Sequence, residues 1–348
     1  MICPECHRAY ADPDLRFCVD DGACLVDGPA VRVSDVQPTR ELGKLVAGRY
    51  AIKGLVGEGG MARVYLAEDA ETGAAVAVKI LKPEHARNRL ARERFLRVVD
   101  VVGHIDHPNV VRMLEAGVGA DRSPFLVLEF LSGETVAAVL DRVPFLRADF
   151  ALPIARSVAS ALVAAHAAGV VHRDVKPDNV FLVAGGGPRV VDFGVAKLRE
   201  GVTTATGMAL GTVPYMAPEQ ALADPVDGRT DVYGLGVTLF HMLTGRLPFD
   251  AGDDARTTAA LLYAPPPAPT ADCPDLDPRL DRVVLAALRK RPDNRYASMA
   301  ALLADLERVL GEREGEIEAP TLRVNPDVYE PMNPMSRTAA RFFRDLAG

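Results

Sequence analysis

The stretch GVVHRDVKPDNVFL, residues 169–182, places a charged run between two apolar segments. It opens with β-branched residues that are typical of a buried element, and it returns to apolar residues at Val180. Within the run, Asp174 can accept a proton, Lys176 can hold a negatively charged oxygen, and Asn179 offers a neutral oxygen ligand for a hard cation. The pattern predicts a loop that is held between buried elements and aims these three groups at one anionic group.

Two further motifs complete this chemistry. Asp192 follows an apolar run in VVDFGVA, and an aspartate presented with Asn179 suits Mg²⁺ that also binds phosphate. Upstream, GEGGMARVYLA places Gly57 and Gly59 in a turn between two predicted strands, where glycine lets the backbone approach a phosphate closely. Lys79 closes the next predicted strand, AVAVK. A Gly-rich turn, a strand lysine, an acid and metal ligands, in this order, are what phosphoryl transfer from ATP requires.

The motifs resemble those of the bacterial Ser/Thr protein kinases of the eukaryotic type. The resemblance covers about residues 48–310 and rests on GEGGMARV, VAVK, HPN, HRDVKPDN, DFG, GTVPYMAPE, DVYGLG and RPDNRY, in the family's order. It implies an α+β, bilobal protein-kinase fold, with a small β-rich N-lobe at about 48–132 and a larger α-helical C-lobe at about 133–310. Short β-rich runs before Gly133 and amphipathic helical segments after it agree with this fold.

The resemblance also implies a role for each matching catalytic residue. Asp174 would be the catalytic base that orients the substrate hydroxyl, mainly by positioning, and Lys176 would contact the γ-phosphate of ATP. Lys79 would bind the α- and β-phosphates. Asn179 and Asp192 would hold Mg²⁺. The expected activity is transfer of the γ-phosphate to Ser/Thr hydroxyls of protein substrates, with ATP and Mg²⁺ as cofactors.

The nucleotide-binding positions follow in the same way. The backbone of the hinge from Glu129 to Leu131 would pair with adenine, beside Leu128 as gatekeeper. The other positions are Val56, Gly57, Glu58 and Gly59 in the Gly-rich loop, and Val64, Ala77 and Phe181 around the adenine ring. Ala62 stands where the family has a third glycine, a mild departure because one methyl group only restricts the turn.

Structural and regulatory roles are implied for the C-lobe. Glu219 would pair with Arg295, Asp231 would brace the catalytic loop, and His172 would pack behind it. The segment from 192 to 219 would be the activation segment, whose phosphate Arg173 can receive. The candidate autophosphorylation sites are Thr203, Thr204 and Thr206, while Thr212 would contact Asp174 and Lys176.

One departure from the family pattern is serious. Counting back from HPN, Val98 stands where the helix of active kinases carries the Glu that pairs with the strand lysine. At about 100° per residue, neither Glu93 nor Asp100 lies on the same helix face. Lys79 would then have Asp192 alone as its carboxylate partner, and we expect reduced or partner-dependent activity.

The alternative function is a pseudokinase, a scaffold that binds nucleotide and signals by contact. The joint presence of Asp174, Asn179 and Asp192 favours chemistry, because a scaffold needs none of them.

Four of the five cysteines lie in the first 24 residues, and such clustering favours a metal over a disulfide. Residues 1–26 resemble a zinc ribbon, with Cys3 and Cys6 spaced C-x2-C and Cys18 following. The candidates for the fourth zinc ligand are Cys24, Asp21 and His7. A unit this short buries little apolar surface and would fold only with metal; the alternative is a degenerate ribbon that has lost zinc.

The remaining sequence predicts a linker at 27–47 and a loosely ordered tail at 311–348. A net charge of −7 argues against nucleic-acid partners, and the sequence contains no apolar run of the length that spans a membrane. The first residues, MICPECHRAY, lack the basic head and apolar core of a signal peptide, so a cytoplasmic location is expected. A regulatory protein would bind through the cysteine unit or the tail.

Overall fold

The computed structural model describes residues 37–103, 105–119, 122–184, 186–193 and 213–316. The zinc-ribbon-like unit at 1–26, with Cys3, Cys6, Cys18 and Cys24, lies outside the described residues. So do Thr203, Thr204, Thr206 and Thr212 of the predicted activation segment.

A six-stranded antiparallel sheet forms the N-lobe, in the order β1-β2-β3-β4-β6-β5. Its strands are β1 (Leu45–Val46), β2 (Tyr50–Glu58), β3 (Ala62–Asp69), β4 (Ala75–Leu81), β5 (Met113–Val118) and β6 (Pro124–Glu129). Helices α1 (Pro83–Ala86) and α2 (Arg89–Val102) lie between β4 and β5. The β-rich runs predicted before Gly133 form strands, and α2 ends at Val102, directly before Gly103, a residue that disfavours helix continuation.

Alternating side chains of this sheet pack into two separate clusters. On the outer face, Val76, Val78 and Ile80 of β4 pack with Tyr50 and Phe125. The inner cluster contains Val64 and Leu81 from the sheet, Phe95 from α2, and Phe181 and Val191 from the C-lobe. Because side chains alternate along each strand, one face of the sheet lies at the boundary between the lobes.

The C-lobe is mainly helical and carries one small sheet with the order β7-β8-β9. Its elements are β7 (Gly133–Thr135), α3 (Val136–Leu140), α4 (Ala148–Ala167), β8 (Val180–Val183), β9 (Pro188–Val190), α5 (Pro218–Ala221), α6 (Gly228–Thr244), α7 (Asp254–Tyr263), α8 (Pro269–Asp272), α9 (Pro278–Ala287) and α10 (Met299–Glu316). The bilobal kinase fold expected from the sequence, a β-sheet lobe followed by a helical lobe, is confirmed.

Helix α6 is the centre of the C-lobe, because 14 of its 17 residues are buried. The side chain of Asp227 caps its first turn by accepting a hydrogen bond from the backbone N–H of Arg229. Gly245 ends it in the left-handed region, with φ of 68°, where a Cβ would lie 1.6 Å from the Pro144 carbonyl oxygen. Gly236 lets α9 approach closely, since a Cβ there would lie 2.7 Å from the Cβ of Ala287.

Helix α4 is apolar enough, by length and composition, to cross a membrane. Half of its most apolar stretch is buried inside the protein, where Leu152, Val158 and Leu162 join the C-lobe core. A core helix passes the same test, so this is weak evidence for a span.

Two helical features differ from the sequence prediction. Helix α7 was not predicted; its first turn is capped by Asp253, and only Thr257 and Leu261 are buried, which leaves little apolar period to detect. Helix α10 continues to Glu316, beyond Gly311, where the tail was expected to begin. One exposed glycine costs about 1 kcal/mol, too little to stop a helix rich in Glu and Arg.

A bridge between the lobes holds the small sheet in place. Val110, just before β5, pairs with Val190 of β9, and the N–H of Val190 donates to the carbonyl of Asn109 at 2.7 Å. The side chain of Asn109 donates to the Pro188 carbonyl at 2.8 Å. The residues that follow β9 are therefore fixed relative to both lobes.

Candidate active site

The charged run HRDVKPDN, residues 172–179, forms a loop between α4 and β8. Asp231 on α6 accepts hydrogen bonds from the backbone N–H of His172 at 2.8 Å and of Arg173 at 2.7 Å. Its side chain is fully buried and also contacts Nε2 of His166 at 2.7 Å. Arg173 has φ of 67°, a conformation that costs non-glycine residues of the order of 1 kcal/mol or more. The predicted bracing role of Asp231 is confirmed, and it holds the loop in this strained form.

His172 fastens the same loop from behind. Its Nδ1 accepts the backbone N–H of Asp174 at 3.2 Å, while Nε2 lies 3.1 Å from the Val191 carbonyl oxygen. This pattern requires the proton on Nε2, because a carbonyl only accepts. The ring also packs on Phe193, with centroids 4.7 Å apart. His172 is fully buried and has the structural role that the sequence predicted.

Asp174, Lys176 and Asn179 converge at the front of the loop. The Nζ of Lys176 lies 3.5 Å from Oδ2 of Asp174. The Asn179 amide donates to the Asp174 carbonyl at 2.7 Å and to its Oδ2 at 3.2 Å. A single-turn 3₁₀ helix, Pro177–Asn179, makes this possible by folding Asn179 back toward Asp174.

Lys79 and Asp192 face each other across the cleft. The Nζ of Lys79 on β4 lies 2.6 Å from Oδ1 of Asp192, which follows β9. Both side chains are largely shielded from solvent. Asp192 has φ of 56°, which turns its carboxylate toward the N-lobe while the next residue, Phe193, points into the C-lobe core.

The oxygen atoms of Asn179 and Asp192 fit a magnesium ion. The Oδ1 of Asn179 is buried and has no hydrogen-bond partner, an arrangement that normally costs free energy. The Asn179 carbonyl accepts the N–H of Val191 at 3.0 Å, so Asn179 and Asp192 lie beside each other. A carboxylate next to an unpaired amide oxygen is the donor set that Mg²⁺ prefers. In the described parts of the chain, no group of three or more His, Cys, Asp or Glu forms an alternative metal site.

The apolar nucleotide positions also come together. Val64 and Phe181 are buried members of the inner cluster, and Ala77, Leu128 and Leu131 pack against it. Val56, at the start of the Gly-rich turn, is buried as well. At the hinge, the N–H of Glu129 donates to the Arg112 carbonyl at 2.9 Å. The described site thus has an apolar slot between the lobes, next to the charged groups.

The comparison with known families agrees with this geometry. The sequence model for the protein kinase domain matches residues 50–305. The chain belongs to the protein kinase domain family. Its relatives include the serine/threonine-protein kinase PksC of Streptomyces coelicolor, 40% identical over 275 residues that cover 76% of this chain and 50% of PksC. Pkn1 of Myxococcus xanthus, also a serine/threonine-protein kinase, is 41% identical over 271 residues, which cover 76% of this chain and 39% of Pkn1.

Solved kinase structures show the same fold. The crystal structure of the Mycobacterium tuberculosis PknI kinase domain superimposes with a TM-score of 0.62 and 29% identity, covering 78% of this chain and 99% of that domain. This chain spans only about half the length of the curated relatives it matches. The comparisons lend no support to the pseudokinase alternative, since these relatives are named as kinases.

In this kinase domain, Lys79 pairs with Asp192, as the sequence predicted from Val98. Val98 lies within α2, and its side chain is outside the described atoms. Glu93 is engaged by Arg89 at 2.7 Å, one helical turn away. The reduced activity that the sequence predicts from this substitution stays a prediction.

The kinase scaffold contains the predicted buried ion pair and several contacts that sequence reasoning missed. Glu219 and Arg295 form two hydrogen bonds of 2.7 Å and are almost fully buried. The missed contacts include Gln220 donating to the Arg173 carbonyl at 2.9 Å, His166 on Asp231, and Tyr215 on His241. None has a local sequence signal, because each joins residues far apart in the chain.

Proposed function

We propose that this kinase transfers the γ-phosphoryl group of ATP to serine or threonine hydroxyls of proteins. One observation carries the proposal: Asp174, Lys176 and Asn179 converge on the C-lobe side of the cleft beside Asp192, and Lys79 reaches Asp192 from the N-lobe side. These are the groups that phosphoryl transfer uses, and the family supports the same activity.

The reaction follows from the roles of these groups. The substrate oxygen forms a bond to the γ-phosphorus, the bond from that phosphorus to the β,γ-bridging oxygen breaks, and ADP leaves with the electron pair. Asp174 orients the hydroxyl and accepts its proton as the new bond forms. Lys176 compensates the negative charge of the transferring group. The gain arises mainly from positioning and charge compensation rather than from basicity, because an ordinary aspartate is a weak base.

Asn179 and Asp192 would hold magnesium, and Lys79 would bind the nucleotide phosphates. When bound there, the metal would compensate negative charge on the nucleotide phosphates. Asn179 contributes its buried, unpaired Oδ1. Lys79 has to share its ammonium group between Asp192 and the nucleotide, since the two side chains are already 2.6 Å apart.

Adenine would enter the apolar slot lined by Val64, Ala77 and Phe181. Apolar side chains on both faces of the ring exclude water, and a few polar groups fix the orientation. The N–H of Glu129 donates to the Arg112 carbonyl, so adenine would donate its hydrogen bond to the Glu129 carbonyl oxygen.

The decisive experiment compares wild type with Asp174→Asn in labelled ATP and Mg²⁺, using a generic basic protein as acceptor. We expect the variant to lose about 10²–10⁴-fold in kcat and to retain nucleotide affinity, because Asn179 and Lys79 are untouched. Equal labelling by both proteins, or none by either, would contradict the proposal. Calorimetry with ATP in saturating Mg²⁺ checks that the site is folded.

Autophosphorylation of Thr203, Thr204 and Thr206 is a further part of the proposal. A phosphate in this segment can pair with Arg173, which precedes the catalytic aspartate. Mass spectrometry after incubation with ATP should find phosphate on at least one of the three threonines in wild type and on none of them in Asp174→Asn.

The cysteine-rich unit is proposed to bind zinc and to be a contact for a regulatory protein. Its support is the spacing of Cys3, Cys6 and Cys18, with Cys24, Asp21 or His7 as the fourth ligand. Elemental analysis should find one zinc per chain and a large loss in Cys3→Ser. A reducing, ATP-containing cytoplasm suits both parts of the chain.

A further inference from the structure

The tip of the Gly-rich hairpin carries a three-residue charge network. Glu58 ends β2, and its Oε1 lies 3.1 Å from Nη2 of Arg63 and 3.0 Å from Nζ of Lys82. Arg63 is the cross-strand partner of Glu58 on β3, whereas Lys82 follows β4. One carboxylate thus joins three separate parts of the N-lobe.

This network ties the turn to the strand that bears Lys79. The backbone N–H of Lys82 donates to the Met61 carbonyl, inside the Gly-rich turn, at 2.8 Å. Within the turn, the N–H of Gly59 donates to the Ala62 carbonyl at 3.1 Å. Because Lys82 is three residues beyond Lys79 on the same strand run, any shift of the turn relative to Lys79 has to break contacts to Lys82.

The network lies on the face of the hairpin opposite the nucleotide slot. Ala62 and Val64, which flank Arg63, belong to the inner cluster with Phe181. Arg63 is in register with Ile80, a member of the outer cluster. Strand side chains alternate, so the charged groups hold the hairpin from outside and leave its inner face to the nucleotide.

The physical setting makes this contact stronger than an ordinary surface pair. The Lys82 side chain is only 13% exposed, although that of Glu58 is 41% exposed. The hydrogen bond from Arg63, and then that from Lys82, hold the pKa of Glu58 below its ordinary value, so it is ionised at neutral pH. A Gly-rich turn has little stiffness of its own, so an external tether decides which conformations it samples.

We propose that Glu58, held by Arg63 and Lys82, is a positioning residue that sets the Gly-rich turn over the nucleotide phosphates at a fixed distance from Lys79. The inference rests on the proposed function, because it assigns the turn to ATP phosphates. Glu58 acts through the turn and has no part in bond making. Its loss should therefore weaken nucleotide binding and leave the chemical step intact.

The test uses the full chain with Glu58→Gln, which removes the charge and keeps the size. We expect KM and Kd for Mg–ATP to rise about three- to tenfold, with kcat within about twofold of wild type. Glu68→Gln is the matched control: it removes a pair with Lys53 at 2.9 Å on the same hairpin, away from the turn. Both constants should be unchanged in the control.

A charge-reversed variant separates the tether from general stability. Glu58→Lys alone should weaken Mg–ATP binding further than Glu58→Gln, and adding Arg63→Glu with Lys82→Glu should restore most of the affinity. An unchanged Kd in Glu58→Gln, an equal rise in Glu68→Gln, or no recovery in the triple variant would overturn the inference. Because Kd is measured without turnover, a wild type that binds ATP but transfers no phosphate would refute the proposed function alone.

Discussion

The C-lobe wall of the cleft holds its functional groups through buried hydrogen bonds, whereas the N-lobe wall holds them through partly exposed ion pairs. On the C-lobe side, Asp231 is fully buried and binds two backbone N–H groups of the catalytic loop. On the N-lobe side, Lys79 has Asp192 as its carboxylate partner. The Gly-rich turn is held by the ion pair between Glu58 and Lys82.

The difference implies that the C-lobe wall is preorganised and that the N-lobe wall can adjust. A fully satisfied buried network has discrete geometry and is costly to disturb. Single ion pairs that keep some contact with solvent, such as Glu58 with Lys82, exchange partners with a smaller loss of free energy than such a network. The wall that makes and breaks bonds is therefore fixed before substrate arrives, and the wall that grips the nucleotide can adapt to it.

Asp231→Asn should disrupt the hydrogen bonds that hold the catalytic loop in the C-lobe wall. An amide can accept from only one of the two loop N–H groups through its oxygen, so its NH₂ faces the other donor. We expect a loss of about 2–4 kcal/mol in the free energy of unfolding and a fall in kcat that exceeds the change in KM. Urea unfolding measures the first and steady-state kinetics the second. Asp149→Asn, at an exposed pair with Arg147, is the control; equal effects in both variants would contradict the comparison.

Lys79→Met tests the adjustable wall. It removes the phosphate contact and leaves Asp192 without its cation, so kcat/KM should fall about 10–100-fold. The free energy of unfolding should change by less than in Asp231→Asn, because the pair is not part of a buried network. Lys53→Met, which removes an exposed pair with Glu68, should leave activity unaffected. A stability loss as large as that of Asp231→Asn would contradict the contrast between the walls.

Val98→Glu should fix the position of Lys79 in the N-lobe wall of the cleft. If the missing helix glutamate limits how Lys79 is placed, restoring it should raise kcat/KM severalfold. Val98→Gln has the same shape without the charge and should give no gain. Equal behaviour of the two variants would mean that Lys79 and Asp192 already suffice, and the sequence-based expectation of reduced activity would be wrong.

The smallest effect concerns pH and His241 on α6, whose Nδ1 lies 2.7 Å from the Tyr215 hydroxyl. Burial lowers the pKa of His241, although Asp178 and Asp141 oppose the shift. The unfolded chain then binds the proton more tightly, so stability is present above the unfolded pKa of about 6.5 and is lost as the pH falls. We expect the melting temperature to fall between pH 7 and 5, and to fall less in His241→Asn. An identical slope in both proteins would refute this assignment.

Much of the site could be predicted from sequence because kinase chemistry needs particular residue types in a fixed order. Asp174, Lys176 and Asn179 lie within six residues and had to share a loop. The Glu219–Arg295 pair was found only through the family resemblance, since no local pattern joins residues so far apart. The end of α10 was missed because Gly311 was taken as the helix end, although one glycine costs too little to stop a helix rich in Glu and Arg.

Sequence by itself determined which groups are available: the acids, amides and lysines of the motifs, and the period-two faces of the N-lobe strands. Tertiary structure alone decided what holds them. Glu58 meets Lys82 only because β2, β3 and β4 pair in one register, and His172 meets Asp231 only because α6 packs under the loop. The motifs can be read from sequence because their catalytic residues lie close together in the chain. The supporting contacts join residues far apart in the chain, so they depend on strand register and helix packing.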